Sequence, residues 1–245
     1  MTDRPLAIDL YCGLGGWASG LLAEGYDVIG FDIERHVYGE HRYPATLVLQ
    51  DVLTLHGRQF KDAALIVASP PCQAYSYRAM PWKRAKALPP PDNTLFEACF
   101  RIQREACEAA GRRIPLVVEN VRGAQPWVGR SRWNFGSFHL WGDVPALMPP
   151  RGTLPAKRAM DDLKYGQRKL VHAHLPVGNG PLGRNDGTEG TKQPGLPGVL
   201  WFDQGAASFA SKSPARKAAS AMIAKIPLPL ARWIGRAWYP LRDAA

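Results

Sequence analysis

The chain has no apolar run near the roughly 20 residues that span a bilayer. Its first residues, Met1-Thr2-Asp3-Arg4-Pro5, contain no hydrophobic signal core. A cytoplasmic protein without a membrane partner is therefore expected. Cysteine is scarce. The four present (Cys12, Cys72, Cys99 and Cys107) have no zinc-type pairing, and the alternating His172 and His174 have no further ligands nearby. Free thiols in a reducing compartment and no metal site follow from these two absences. No internal repeat occurs, which excludes solenoids and propellers. Acidic residues are thin in the C-terminal part: residues 1–150 hold 16 Lys/Arg against 15 Asp/Glu, and residues 151–245 hold 15 against 6. Nearly all of the net +10 thus lies in the last two-fifths, which points to a polyanion partner, most simply nucleic acid. At 245 residues there is room for one large α/β domain, alone or with a small appendage, and a monomer is expected.

What is present begins with Leu6-Ala7-Ile8-Asp9-Leu10-Tyr11, a hydrophobic strand running into Cys12-Gly13-Leu14-Gly15-Gly16. A helical stretch from Trp17 to Glu24 follows, ended by Gly25. Strand, glycine-rich turn and helix make a nucleotide-cofactor loop, because absent side chains let the backbone approach a ligand. The spacing is not G-x-G-x-x-G, which disfavours a dinucleotide. A second strand, Asp27-Val28-Ile29-Gly30-Phe31, ends at Asp32, an acid placed for ribose hydroxyls, and Ile33 could cover an adenine face. A third strand, Ala45 to Leu49, ends at Gln50-Asp51-Val52 and brings another carboxylate to the same sheet edge.

The fourth strand, Ala63 to Val67, leads into Ala-Ser-Pro-Pro-Cys-Gln-Ala-Tyr-Ser at 68–76. Pro70 and Pro71 stop the strand and stiffen its exit, which presents Cys72, with polar Gln73 and Ser76 beside it, on a rigid loop. Tyr77 to Pro91 interleaves Lys83, Arg84 and Lys86 with Trp82, a composition suited to phosphates and bases. A helix from Asp92-Asn93 to Gly111 carries Leu95, Phe96, Cys99, Ile102 and Ala106 at helical spacing, which makes Cys99 and Cys107 structural. The fifth strand, Ile114 to Val118, ends in Glu119-Asn120-Val121, and burial beside a thiol would keep that acid protonated. Arg130-Ser131-Arg132 can project two guanidinium groups the same way, and Trp133 to Gly142 reads as one or two more strands. Between Pro176 and Gly205, twelve of thirty residues are Gly or Pro, which predicts an irregular lobe. Order is expected again at Ser213-Pro214, with a last helix after Pro229 docking back on the first domain.

Asp9-Leu10-Tyr11-Cys12-Gly13-Leu14-Gly15-Gly16, then Pro71-Cys72-Gln73, then Glu119-Asn120-Val121 resembles the DNA (cytosine-5) methyltransferases, in particular short bacteriophage or prophage-type members. The resemblance spans about residues 6–142 and implies a mixed α/β, Rossmann-like sheet of the S-adenosylmethionine-dependent kind, with helices on both faces. It implies a catalytic domain at 1–148, a short basic target-recognition region at 149–212, and helices packing back at 213–245. It places S-adenosylmethionine, which leaves as S-adenosylhomocysteine, along Leu10, Tyr11, Cys12, Gly13, Leu14, Gly15, Gly16 and Trp17, with Asp32, Ile33, Asp51, Val52, Pro70 and Leu95 as further contacts. Cys72 corresponds to the nucleophile, Glu119 to the base-binding acid and Arg132 to the second Arg of an R-x-R motif. Pro71, Gln73, Ser76, Asn120, Arg130, Lys83, Arg84 and Lys86 would meet double-stranded DNA around a flipped cytosine.

The resemblance also has departures. Arg130 and Arg132 follow Glu119 more closely than is usual, which makes Gln167-Arg168-Lys169 a rival R-x-R segment. The usual Gly-Asn-x-Val near the C-terminus is replaced by Ala224-Lys225-Ile226-Pro227-Leu228-Pro229-Leu230-Ala231. Three alternatives stand beside this reading: amino-methylation of cytosine N4, suggested by Ser69-Pro70-Pro71; cytosine-5 methylation of tRNA; and a non-catalytic DNA-binding relative. The setting implied is a bacterial cell or a phage-infected bacterial host.

Overall fold

The computed structural model describes residues 4–76, 89–148 and 214–240. Seven strands form one sheet in the order β3-β2-β1-β4-β5-β7-β6. They are β1 (Leu6–Leu10), β2 (Asp27–Asp32), β3 (Thr46–Leu49), β4 (Leu65–Ala68), β5 (Leu116–Asn120), β6 (Trp133–Phe135) and β7 (Phe138–Gly142). The first five run parallel; β7 pairs antiparallel with β5 and with β6. All four residues of β4 and all five of β5 are buried. This is why the two strands read as unbroken apolar runs rather than alternating ones: both faces are covered. β4 starts later than its sequence suggests, because Ala63 closes the preceding turn with its N–H on Phe60 O at 2.9 Å. Trp133 to Gly142 resolves into a two-stranded hairpin that turns at Gly136, φ 56°.

One face is covered by α2 (Thr94–Ala110), whose Phe96, Cys99, Ile102 and Ala106 join Ile8, Leu10, Ile66, Leu116 and Val118 in one cluster. The opposite face carries α1 (Gly16–Ala23), with Trp17, Ala18 and Leu21 against Ala7, Leu65, Val67 and Val117. A short α3 (Gln125–Val128) follows β5, and α4 (Pro214–Ala224) and α5 (Leu228–Ala237) lie near the C-terminus. The chain divides into a unit of residues 1–157 with 225–245 and a second unit of residues 158–224, of which α4 is the described part. Within the first unit α5 lies on α1. Tyr26 donates its hydroxyl to Gly235 O at 2.8 Å, and the Glu24 carboxylate accepts from Arg232 Nε at 2.6 Å and Arg236 Nε at 3.1 Å. Leu230, Ala231 and Ile234 are fully buried by this contact. Among the described residues no helix is long and apolar enough to cross a membrane.

Candidate active site

The chain runs β1, β2, β3 toward one side of the sheet and β4, β5 toward the other, so the crevice at the strands' carboxyl ends opens between β1 and β4. Two loops meet there: the glycine loop after β1 and the Cys72 loop after β4.

The glycine loop is held open by its backbone. Tyr11 and Gly13 have φ of 56° and 49°, and a Cβ built on Gly13 would meet nothing within 4 Å. Gly13 therefore borders free space, as a loop that receives a ligand must. Gly15 is glycine for the contrary reason: its φ is 69° and a Cβ would lie 2.3 Å from Pro44 Cδ. The Gly13 N–H donates to Asp32 Oδ2 at 2.9 Å, and the other oxygen of Asp32 accepts from the Glu34 N–H at 3.2 Å. The acid at the end of β2 thus faces the glycine loop after β1. Ile33 beside it is 72% exposed, an apolar side chain with little protein cover. Asp51 accepts from the Leu53 N–H at 2.9 Å and begins a short 3-10 turn. Leu10, Cys12, Leu14, Trp17 and Val52 are all buried, so a ligand in the crevice would meet them chiefly through backbone groups. Tyr11 donates its hydroxyl to Leu95 O at 2.9 Å, which ties the start of α2 to this loop.

Three cross-links fix the Cys72 loop. Trp17 Nε1 donates to Ser69 Oγ at 3.0 Å, so α1 braces the exit from β4. Asn120 Nδ2 donates to Pro70 O at 3.0 Å, which joins the end of β5 to the double proline. The N–H groups of Tyr75 and Ser76 both donate to Cys72 O at 3.0 Å, and Tyr75 donates its hydroxyl to Asn93 Oδ1 at 2.8 Å. Cys72 is half-buried, with Pro71 and Gln73 exposed on either side and Ser76 half-buried. The other thiols differ: burial pushes Cys12 and Cys99 well above the ordinary thiol range, and Cys107 is held by the N–H of Ile114 at 3.2 Å.

The sheet register brings the acid and the arginine to the same edge. Ala68 of β4 lies opposite Val118 of β5, so Glu119 stands one rung beyond, level with Ser69. Glu119 is buried and pairs across the sheet with Leu140 of β7, whose carbonyl accepts the Arg132 N–H at 2.8 Å. The β6–β7 hairpin therefore carries Arg132 to the level of Glu119 despite the short sequence interval. Arg130 and Arg132 are both exposed. Lys83, Arg84, Lys86 and the rival segment Gln167-Arg168-Lys169 lie outside the described residues.

Sequence reasoning missed the support beneath the glycine loop. Asp9 is completely buried, and Tyr43 donates its hydroxyl to one of its oxygens at 3.3 Å. Burial pushes its carboxyl well above the ordinary range, and the nearby Asp32 charge adds to this against hydrogen bonds from Tyr43 and the Ala18 backbone. The Tyr43 ring lies over Gly30, where a Cβ would come within 2.3 Å of it. No local pattern marks Tyr43. Gly30, a glycine inside a strand, was the available signal.

The open Gly13 face, the Asp32 carboxylate and the bare Ile33 side chain suit a nucleoside with a charged tail, which is what S-adenosylmethionine is. Among the described residues no three His, Cys, Asp or Glu side chains are grouped to hold a metal. The doubly wound sheet with an antiparallel β7 is a mixed, Rossmann-like α/β fold with helices on both faces. The family model of the C-5 cytosine-specific DNA methylases matches residues 6–125, just under half of the chain.

Solved structures similar to the chain include a DNA modification methyltransferase encoded within an E. coli prophage, 25% identical over 49% of this chain and 33% of that one, TM-score 0.35. The S. pombe Dnmt2 methyltransferase is 19% identical over 50% and 36%, TM-score 0.34. The Entamoeba histolytica methyltransferase EhMeth is 18% identical over 52% and 41%, TM-score 0.36. The chain thus spans about a third to two-fifths of the length of these proteins. No curated protein matches it in sequence.

Proposed function

We propose that the protein transfers a methyl group to C5 of a cytosine flipped out of duplex DNA, with Cys72 as a transient covalent nucleophile. The observation that carries this reading is the Asn120–Pro70 hydrogen bond, which ties the strand bearing Glu119 to the loop bearing Cys72. A thiol and a buried acid at one sheet edge, beside an open glycine loop, are what this chemistry requires.

Cytosine C5 is a weak carbon nucleophile. Addition of the Cys72 thiolate to C6 forms an S–C6 bond and moves the C5=C6 electron pair toward C5. A proton held at N3 by Glu119 receives the displaced charge, and Arg132 holds the base in place. S-adenosylmethionine, when bound, supplies the methyl group as a sulfonium electrophile. Loss of the C5 proton then drives the electron pair back, breaks S–C6 and frees the thiolate. A half-buried Cys72 on a stiff loop and an 8%-exposed Glu119 fit these roles. Asp32, Ile33 and the backbone of Leu10–Trp17 would hold the donor, with Asp51, Val52, Pro70 and Leu95 at its margin. Pro71, Gln73, Ser76, Asn120 and Arg130 would line the DNA side. The basic region 149–212 would read the sequence, and the protein would act as a monomer in a bacterial cytoplasm.

The test is trapping on duplex DNA carrying 5-fluorocytosine, with S-adenosylmethionine present. Fluorine cannot leave as a proton does, so a denaturation-resistant protein–DNA adduct is expected, absent in Cys72→Ser. Methylated product on ordinary DNA without any adduct would replace this reading with amino-methylation. An adduct on fluorinated RNA alone would move the substrate to RNA.

A further inference from the structure

Between Glu119 and Asp143 the chain holds Arg122, Arg130 and Arg132 and no acidic residue. All three arginines are exposed, and among the described residues none pairs with a carboxylate. Amid them Trp127, on α3, is 40% exposed. An indole left in water beside a reaction centre calls for a partner, since its apolar faces are large and its burial would be favourable.

The segment that presents Trp127 is fixed at four points. Gly123 abuts the Cys72 loop so closely that a Cβ would lie 2.1 Å from Tyr75 O. Asn93 Nδ2 donates to Trp127 O at 3.2 Å. The Ser131 N–H and hydroxyl both reach Gln125 Oε1 at 3.2 Å, and Trp141 Nε1 donates to Gly129 O at 2.8 Å. The backbone is thus immobilised while the aromatic ring and three cations stay at the surface. Bases offer π-faces and phosphates offer negative charge, and this pattern answers both.

We propose that Trp127 is a stacking anchor for a base of the DNA beside the flipped cytosine, with Arg122 and Arg130 on the flanking phosphates. The inference rests on the reading of this chain as a DNA cytosine methyltransferase and adds a contact outside its reacting residues. The partner is DNA opened at one nucleotide, because a base within an intact stack has no face free for an indole.

The experiment uses the full chain and a fluorescein-labelled duplex of mixed sequence with one mismatched cytosine, read by anisotropy across a salt series. Trp127→Ala should weaken binding about ten- to a hundredfold with an unchanged salt slope, because stacking releases no counterions. Trp127→Phe should recover most of that loss. Arg122→Ala and Arg130→Ala should each lower the slope by about one. An unchanged unfolding midpoint in each variant ties the effect to contact rather than folding. Trp127→Ala binding within twofold of the parent would overturn the proposal, as would the same weakening on a fully paired duplex. Loss of binding to an RNA hairpin but not to the DNA would also overturn it. 5-Fluorocytosine trapping on the parent chain separates the two failures: an adduct with an inert Trp127→Ala sinks only the anchor, whereas no adduct sinks the reading beneath it.

Discussion

Replacing Gly20 by Ala sets two effects of opposite sign against each other. Gly20 lies inside α1, where Ala is preferred over Gly by about 1 kcal/mol, so helix propensity alone predicts stabilisation. The packing predicts the reverse. A Cβ on Gly20 would sit 2.3 Å from Ala231 Cβ, 2.7 Å from Ala231 C and 2.7 Å from Arg232 N. Two of those three atoms are backbone, so no rotamer change relieves them and α5 must move as a body. Overpacking of this kind costs about 1–3 kcal/mol. Displacing α5 also strains the Tyr26–Gly235 bond and the Glu24–arginine cluster. The sum is a net destabilisation of about 1–2 kcal/mol, which in a chain of this size lowers the thermal midpoint by roughly 2–8 °C. A second consequence separates this from a merely weaker helix. Ile226 N lies 2.3 Å from where a Gly16 Cβ would be, so a shift of α5 pulls the 225–226 segment from the glycine loop. Thermal melts should therefore be paired with calorimetric titration of S-adenosylmethionine, and both stability and affinity should fall. Adding Ala231→Gly should not restore the midpoint, because it removes one contact of three and weakens α5 by about 1 kcal/mol. A rise in the midpoint of Gly20→Ala would refute the reasoning, since propensity would then outweigh the packing of α1 on α5.

The remaining predictions concern the buried acid and the Cys72 loop. Asp9 has a folded-state pKa above its unfolded value, so the native state keeps a proton that the unfolded chain has released. Stability should then decline as pH rises from the ordinary aspartate range toward the raised value, by up to about 1.4 kcal/mol per pH unit. Asp9→Asn should flatten this slope; urea midpoints at a series of pH values in both proteins would show it, and equal slopes would contradict the neutral form. Gly123→Ala puts a Cβ 2.1 Å from Tyr75 O and should displace the Cys72 loop. The yield of 5-fluorocytosine adduct should drop at least tenfold with far-UV circular dichroism unchanged, and full adduct yield would mean that the loop yields without consequence.

What was legible in the sequence was set by short-range rules. β4 and β5 declare themselves because strands covered on both faces must be apolar throughout, and α2 because one face at helical spacing must be. The positions of the glycine loop, Asp32, Cys72 and Glu119 were legible because each sits at or just past the carboxyl end of a strand, where order in the chain equals position along the sheet edge. Residues acting across the fold were not. Asp9 reads as one more strand position, and only the arrival of Tyr43 from beyond β2 makes it a buried, hydrogen-bonded carboxyl. Arg132 looks too close to Glu119 along the chain, and only insertion of β7 between β5 and β6 brings its backbone onto Leu140. Trp127 reads as an isolated aromatic until Gly123, Asn93 and Trp141 are seen to pin the backbone around it.

The bonds that tie the crevice together lie within one continuous stretch of the chain. Trp17–Ser69 joins the glycine loop to the thiol loop, Asn120–Pro70 joins the thiol loop to the acid, and Tyr11–Leu95 joins the glycine loop to α2. Each link lies among residues 10–120, so the relative placement of glycine loop, thiol and acid is set inside one sheet edge. Residues 158–224, by contrast, enter and leave at Lys157 and Lys225, two positions of that same unit. None of the three links includes a residue of that insertion. On the proposed function, glycine loop, thiol and acid would keep one geometry whichever DNA is held.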